Sequence, residues 1–200
     1  MIKVLNLYAG IGGNRKNWTD VEVTAIEYDH DIAIIYHKFF PEDKLIIDDA
    51  HDYLLNHYKE FDFIWSSPPC TTHSHLKKMG VLKGQTKPKF PDMKLYEEII
   101  FLVHFATCPW VVENVSPYYE ELVYPTIKIG RHYFWSNFEI SDFQEEKAKK
   151  ITKTRIRDCK YGFDLSPFKV TNRGKLKRTM LRNLINPELG NHILKEAIKE

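Results

Sequence analysis

Cysteine is scarce in this chain. Its 200 residues hold three, at positions 70, 108 and 159, and no two form a Cys-x-x-Cys pair. Zinc ribbons and dithiol redox motifs therefore find no support. The odd count, with no signal-peptide layout in the opening Met1-Ile2-Lys3, points to reduced thiols and argues against export. Long hydrophobic runs are missing as well, and none approaches the ~18 residues of a membrane span. Strong net charge is also lacking. The 29 Lys and Arg against 27 Asp and Glu leave +2, too little to demand a nucleic-acid partner. There is no internal repeat and no low-complexity linker.

What is there is a folded-protein composition, 43% hydrophobic and 28% charged, in a length that suits one core with a small annex. The charge is unevenly spread. Lys77, Lys78, Lys83, Lys87, Lys89 and Lys94 fall within residues 76–94, opposed only by Asp92. A second basic stretch covers 147–182. Either stretch alone reads as a solvated surface.

Apolar runs alternate with helical patterns. Strands are expected at 3–9, 21–28, 44–47, 61–66 and 110–115, and helices at 30–40, 50–58 and 92–107. The last helix carries Leu95, Ile99, Leu102, Val103 and Ala106 at helical spacing and stops before Pro109. Residues 126–129 and 132–138 read as an edge hairpin around Gly130-Arg131, and 187–199 as a final helix. The polar stretch 139–180 gives no assignment. The alternation predicts an α/β fold, a mostly parallel Rossmann-like sheet with helices on both faces. Three units are expected: a core over 1–138, a small basic accessory segment over 139–179, and a C-terminal helix over 180–200 that returns to the core.

Ligands of such sheets bind at the carboxyl ends of the strands. The first strand ends in Tyr8-Ala9-Gly10-Ile11-Gly12-Gly13, where glycines admit a ligand to the backbone or make a tight turn. Arg15 stands where the dinucleotide fingerprint needs its third glycine. The second ends in Glu27-Tyr28-Asp29, an acid suited to ribose hydroxyls. The third ends in Asp48-Asp49, which fits an acceptor for an adenine amine and a helix N-cap equally. The fourth delivers Ser66-Ser67-Pro68-Pro69-Cys70, a thiol displayed behind two prolines. The fifth ends in Glu113-Asn114-Val115. A carboxylate in an apolar strand end is costly unless paired or protonated, so Glu113 is either a site residue or a structural partner of an arginine.

Tyr8-Ala9-Gly10-Ile11-Gly12-Gly13, Pro68-Pro69-Cys70 and Glu113-Asn114-Val115 resemble the most diagnostic motifs of the DNA cytosine C5-methyltransferases, in that family's order. Arg182-Asn183-Leu184-Ile185-Asn186-Pro187 is similar to the family's C-terminal cofactor segment, with Arg182 at the usual glycine. The resemblance implies an S-adenosylmethionine-dependent methyltransferase fold, with the cofactor across the ends of the first three strands. Tyr8, Ala9, Gly10, Ile11, Gly12 and Pro68 would lie against it. Glu27 would hold its ribose, Tyr28 would pack on the adenine, Asp49 would meet the adenine amine, and Asn183 would reach the methionine end. Cys70 would be the nucleophile and Glu113 its partner at the base. Arg131 stands near the family's Gln-x-Arg-x-Arg segment, one arginine of which meets the cytosine O2, but the Gln is missing here. Arg155 and Arg157 supply an Arg-x-Arg further on and are candidates for phosphate contacts.

The implied reaction is methyl transfer from S-adenosylmethionine to carbon 5 of cytosine in DNA, through a covalent Cys70 adduct. Only a thiolate is competent, and a protonated Glu113 would donate to ring nitrogen 3. The target base must leave the stack. Residues 77–94 then read as a mobile loop that closes over the site, with Lys77, Lys78, Lys83, Lys87 and Lys89 on phosphates. No metal is implied. Family members carry a large target-recognition domain where this chain has only residues 139–178. Such a compact chain suits a phage or mobile element and a cytoplasmic location. It would take DNA as partner, assisted by a partner subunit or a second copy of itself. Three readings compete: cytosine C5-methylation of RNA, a non-catalytic nucleic-acid-binding subunit, and a nucleotide-dependent oxidoreductase. The missing third glycine and the prolyl cysteine oppose the last.

Overall fold

The computed structural model describes residues 1–144, 159–168 and 173–199. Arg155 and Arg157 lie outside the described residues. Five strands, β1 (Ile2–Leu7), β2 (Val21–Ile26), β3 (Lys44–Ile46), β4 (Phe63–Ser66) and β5 (Trp110–Val115), form the parallel part of one sheet. β6 (Ile127–Ile129) and β7 (His132–Ser136) complete it as the expected hairpin, in the order β3-β2-β1-β4-β5-β7-β6. β7 runs antiparallel to β5. The order reverses between β1 and β4, which is where open sheets of this kind leave a crevice.

The period of two along each strand divides the core into two layers. Val4, Val23, Ala25, Phe63, Trp65, Val111 and Phe134 point to one face. There they meet Tyr36 of α1 (His30–Phe39) and Leu189, Ile193 and Leu194 of α6 (Pro187–Ala197). Leu5, Leu7, Ile26, Ile64, Val112 and Trp135 point to the other. That face is covered by Tyr53 and Leu54 of α2 (Ala50–His57) and by Leu95, Ile99 and Leu102 of α4 (Lys94–Phe105). The α/β sheet with helices on both faces is thus as expected. Val103, placed by its spacing on the inner face of α4, is instead 57% exposed.

Three of the helices covering the sheet are begun by a side chain that accepts their first free amides. Asp29 caps α1, Asp49 caps α2, and Asn186, followed by Pro187, caps α6. Between β1 and β2, residues 8–20 contain turns and no helix. This linker is held by α6, because Trp18 Nε1 donates to the Gly190 carbonyl at 3.0 Å. A Cβ on Gly190 would lie 2.3 Å from the Asn14 carbonyl oxygen, so only glycine lets helix and linker approach this closely.

Two helices were not expected. α3 (His75–Leu82) follows the cysteine loop and buries no residue. α5 (Arg173–Asn183) runs through the expected boundary at 179–180. Its Met180 and Leu181 join Phe163 of the hairpin β8 (Cys159–Lys160) and β9 (Phe163–Asp164) and Leu165 just after it, together with Ile11 and Ile35, in a third apolar cluster. That part of the accessory segment therefore packs onto the core.

Candidate active site

Cys70 sits on the loop that leaves β4, between the exposed Pro69 and a turn in which the amides of His73 and Ser74 both donate to the Cys70 carbonyl at 3.2 Å. The loop is tied to β5 by Asn114, whose buried Nδ2 donates to the Pro68 carbonyl at 2.9 Å. Burial and the Glu113 carboxylate push the Cys70 thiol up, while Arg131 and Arg182 pull it down without prevailing. These forces put the thiol within the fields of Glu113, Arg131 and Arg182. They also leave it protonated at rest, so the positive potential that a thiolate needs is present but outweighed.

Glu113 is 7% exposed, on β5. Its Oε1 is in hydrogen-bond contact with His132 Nδ1. Arg131 Nε donates to His132 Nε2 at 2.9 Å, and Arg131 Nη2 donates to the Arg182 carbonyl at 2.6 Å. Helix α5 ends there, and its last carbonyls lack intrahelical partners, so a guanidinium is a natural cap. Arg131, His132 and Arg182 also line a cavity of about 360 Å³ with Lys160, Tyr161 and Arg178. Among the described residues no carboxylate lines it.

The first three strand ends converge on a second group of residues. Tyr8 and Gly10 both adopt positive φ, at 55° and 57°. The space above Gly10 is open, because a Cβ there would meet nothing nearer than 4.0 Å. Gly12 differs: it is buried against the Phe40 ring, 2.2 Å from where its Cβ would lie, so its side-chain face meets protein. Gly13 likewise packs on Ile185 and Leu184, which seats the segment after Asn183 against the glycine turn. Ala9 and Ile11 bury their side chains in the core, leaving only their backbone to a ligand. Asn183 itself is exposed at the end of α5.

Glu27 accepts from the Gly10 amide through Oε2 and from the Asp29 amide through Oε1, each at 2.9 Å. Burial raises its pKa, and those amides only partly offset the rise. The Tyr28 ring is 77% exposed. For Asp49, burial raises the carboxyl, but the Lys94 ammonium at 3.2 Å and the His51 and Asp52 amides outweigh it and hold the pKa low. The N-cap reading of Asp49 is therefore realised.

The loop after Cys70 is pinned at its base. Asp92 N donates to Thr72 Oγ1 at 2.9 Å, the Tyr119 hydroxyl meets buried His73 at 2.5 Å, and Ser74 bridges to Pro117. Beyond these ties, Lys83, Lys87 and Lys89 are exposed. Lys77, Lys78 and Lys89 line a shallow recess, with the Lys78 ammonium 5.6 Å from the centre of the Tyr118 ring. Among the described residues no cluster of His, Cys, Asp or Glu could hold a metal ion, and no helix is long and apolar enough to cross a membrane.

Residues 2–120 match the sequence model of the C-5 cytosine-specific DNA methylases. This chain belongs to that family. It is 34% identical over 122 residues to the Type II methyltransferase M.Bsp6I of Bacillus sp. (strain RFL6), covering 58% of this chain and 36% of that protein. The chain thus spans about a third of the length of that curated relative. Among solved structures it is similar to a DNMT2 mutant from Spodoptera frugiperda, at 24% identity and TM-score 0.43 over 57% of this chain and 36% of that one. It is also similar to the methyltransferase EhMeth of Entamoeba histolytica, at 17% identity and TM-score 0.38 over 57% and 38%.

Two features of this chain escaped the sequence. Glu98, on the inner face of α4, is 1% exposed, and three donors converge on it. The Tyr8 hydroxyl reaches Oε1 at 2.5 Å, His51 Nδ1 reaches Oε1 at 3.0 Å, and the Ser66 hydroxyl reaches Oε2 at 2.6 Å. One carboxylate therefore joins the glycine turn, the start of α2 and the end of β4. A charged residue three positions after Leu95 and four before Leu102 was the available signal. His132 is the other. It read only as part of an aromatic run, because its contact with Glu113 depends on strand register.

Proposed function

We propose that this chain transfers a methyl group to carbon 5 of cytosine in DNA. The observation that carries the reading is the Cys70 thiol lying within the fields of Glu113, Arg131 and Arg182, on a loop that Asn114 ties to β5. The open, left-handed backbone at Gly10, with the carboxylate of Glu27 and the exposed ring of Tyr28 beside it, fits the nucleoside part of S-adenosylmethionine. Pro68, Asp49 and Asn183 would complete that binding site. The cofactor supplies an electrophilic methyl group when bound.

Cys70 attacks carbon 6 of an extruded cytosine and forms a carbon–sulfur bond. The electron pair of the 5,6 double bond moves into the ring, and Glu113 gives a proton to nitrogen 3 as charge arrives there. Carbon 5 is then enamine-like and takes up the methyl group. Loss of the carbon 5 proton re-forms the double bond and expels the sulfur as a thiolate, and nitrogen 3 returns its proton to Glu113. Because burial holds the thiol protonated, its proton must pass on as the base enters. Arg131 is available for the cytosine O2, and the lysines between 77 and 89 for phosphates. The small described accessory region suggests that target readout is short or shared with a partner or second copy.

The test is incubation with labelled S-adenosylmethionine and, in parallel, duplex DNA, single strands and tRNA. Label should enter duplex DNA, and Cys70→Ala should abolish both the transfer and the adduct with 5-fluorocytosine DNA. Transfer that survives the substitution would remove Cys70 from its role, and a preference for tRNA would move the substrate to RNA.

A further inference from the structure

We infer that His132 is a positioning residue that decides which oxygen of Glu113 can carry a proton. The inference rests on the proposed role of Glu113 at the base and specifies how that role is enforced.

The geometry begins with strand pairing. β5 and β7 are antiparallel with Val115 opposite His132 and Glu113 opposite Phe134. Glu113 and His132 are therefore diagonal neighbours on one sheet face, a separation that a carboxylate and an imidazole can bridge. The imidazole is 13% exposed and tilts against the Phe134 ring at 6.4 Å. Its orientation is fixed by packing as well as by hydrogen bonds.

The direction of each hydrogen bond follows from Arg131. A guanidinium has five donors and no acceptor. The Arg131 Nε proton points at His132 Nε2 across 2.9 Å, so that nitrogen must present its lone pair. A neutral imidazole with a bare Nε2 carries its proton on Nδ1. Nδ1 therefore donates to Glu113 Oε1, and Oε1 is an acceptor at that contact. A carbonyl oxygen is the better acceptor for that N–H, so a proton on Glu113 is favoured on Oε2 over Oε1. The chain of donors runs one way, from the guanidinium through the imidazole to the carboxyl group. Its other end is anchored by the Arg131 Nη2 bond to the Arg182 carbonyl at 2.6 Å.

The consequence for the reaction is specific. Glu113 must donate to nitrogen 3 while accepting from the exocyclic amine, and those tasks need opposite oxygens. Random placement of the proton would leave half of the protonated molecules with the wrong oxygen facing nitrogen 3. His132 removes that ambiguity before the base arrives.

The experiment compares wild type, His132→Leu and His132→Asn. Leucine fills the space without a donor, whereas the asparagine amide keeps a donor near the position of Nδ1. His132→Leu should lower kcat, and the rate of adduct formation with 5-fluorocytosine DNA, by at least about two-fold from misplacement of the proton, and by more, up to the ~10²–10⁴-fold that a general acid supplies, as the unheld carboxyl group also loses its orientation. KM for DNA and for S-adenosylmethionine should stay within about two-fold, since His132 itself binds neither in the ground state. His132→Asn should recover most of the rate. Independently of activity, ¹⁵N spectra of the wild-type protein should show one imidazole, missing in both variants, with Nδ1 protonated and Nε2 bare. An Nε2-protonated ring, a His132→Leu rate equal to wild type, or an asparagine variant no better than leucine would each overturn the inference. If wild type itself forms no adduct and transfers no methyl group, the parent reading fails instead.

Discussion

Glu98 is a buried acid outside the proposed reacting groups, yet it ties together three segments beside the proposed cofactor site. Its partner His51 gives it a measurable signature. The Glu98 hydrogen bond raises the His51 pKa, against burial and the nearby Lys94, which lower it. A histidine whose folded pKa lies above its unfolded value of ~6.5 contributes stability that is full below that pH. The contribution fades as pH rises through the raised folded value. The urea midpoint should therefore fall as pH climbs above ~6.5, and His51→Gln should flatten that part of the curve. Equal slopes for the two proteins would show that the pair contributes nothing. The sequence made Cys70 and Glu113 legible because motif and strand end coincide. It left Asp49 open between two roles, and only coordinates show both of its oxygens engaged by amides and by Lys94.

Strands and helices with a regular apolar period were legible at the scale of the element, with ends shifted by only a few residues. α3 and α5 were not. α3 has no buried face to impose a pattern, and α5 is so rich in Lys and Arg that its few apolar contacts, Met180 and Leu181 among them, are diluted. The tight junction between α6 and the linker after β1 offers a test of packing. In Gly190→Ala the better helix former gains ~1 kcal/mol. The methyl group would meet the Asn14 backbone, which cannot rotate away, and overpacking of that kind costs ~1–3 kcal/mol. Net destabilisation is expected, read as a lower urea midpoint with an unchanged m-value. A midpoint at or above wild type would mean that the linker yields easily. The base of the cysteine loop belongs to this scale too. With Thr72 and Asp92 joined, the two ends of the segment between them are held together beside Cys70.

For the molecule as a whole, basic groups gather on two surfaces, the exposed lysines beyond Cys70 and the cavity bounded by Arg131, Lys160, Arg178 and Arg182. Removing one cation that neutralises a phosphate should reduce the slope of log affinity against log salt by ~0.9 on duplex DNA. Arg178→Ala should lower the slope by about one, and the triple replacement of Lys83, Lys87 and Lys89 by alanine by up to about three, in anisotropy titrations across a salt series. Unchanged slopes would take the corresponding surface off the path of the nucleic acid. Composition alone conveyed only the density of these charges, since their arrangement depends on the hairpin β8–β9 and on α5 reaching the sheet.

The register in which β7 pairs with β5 has a larger effect than any of these side chains. Its first residue enters the sheet at the rim where β5 leaves it. Were β7 shifted along β5 by a single residue, the period of two would turn position 132 to the opposite face of the sheet, away from the acid at 113. Every residue would still be present, and the acid would stand alone.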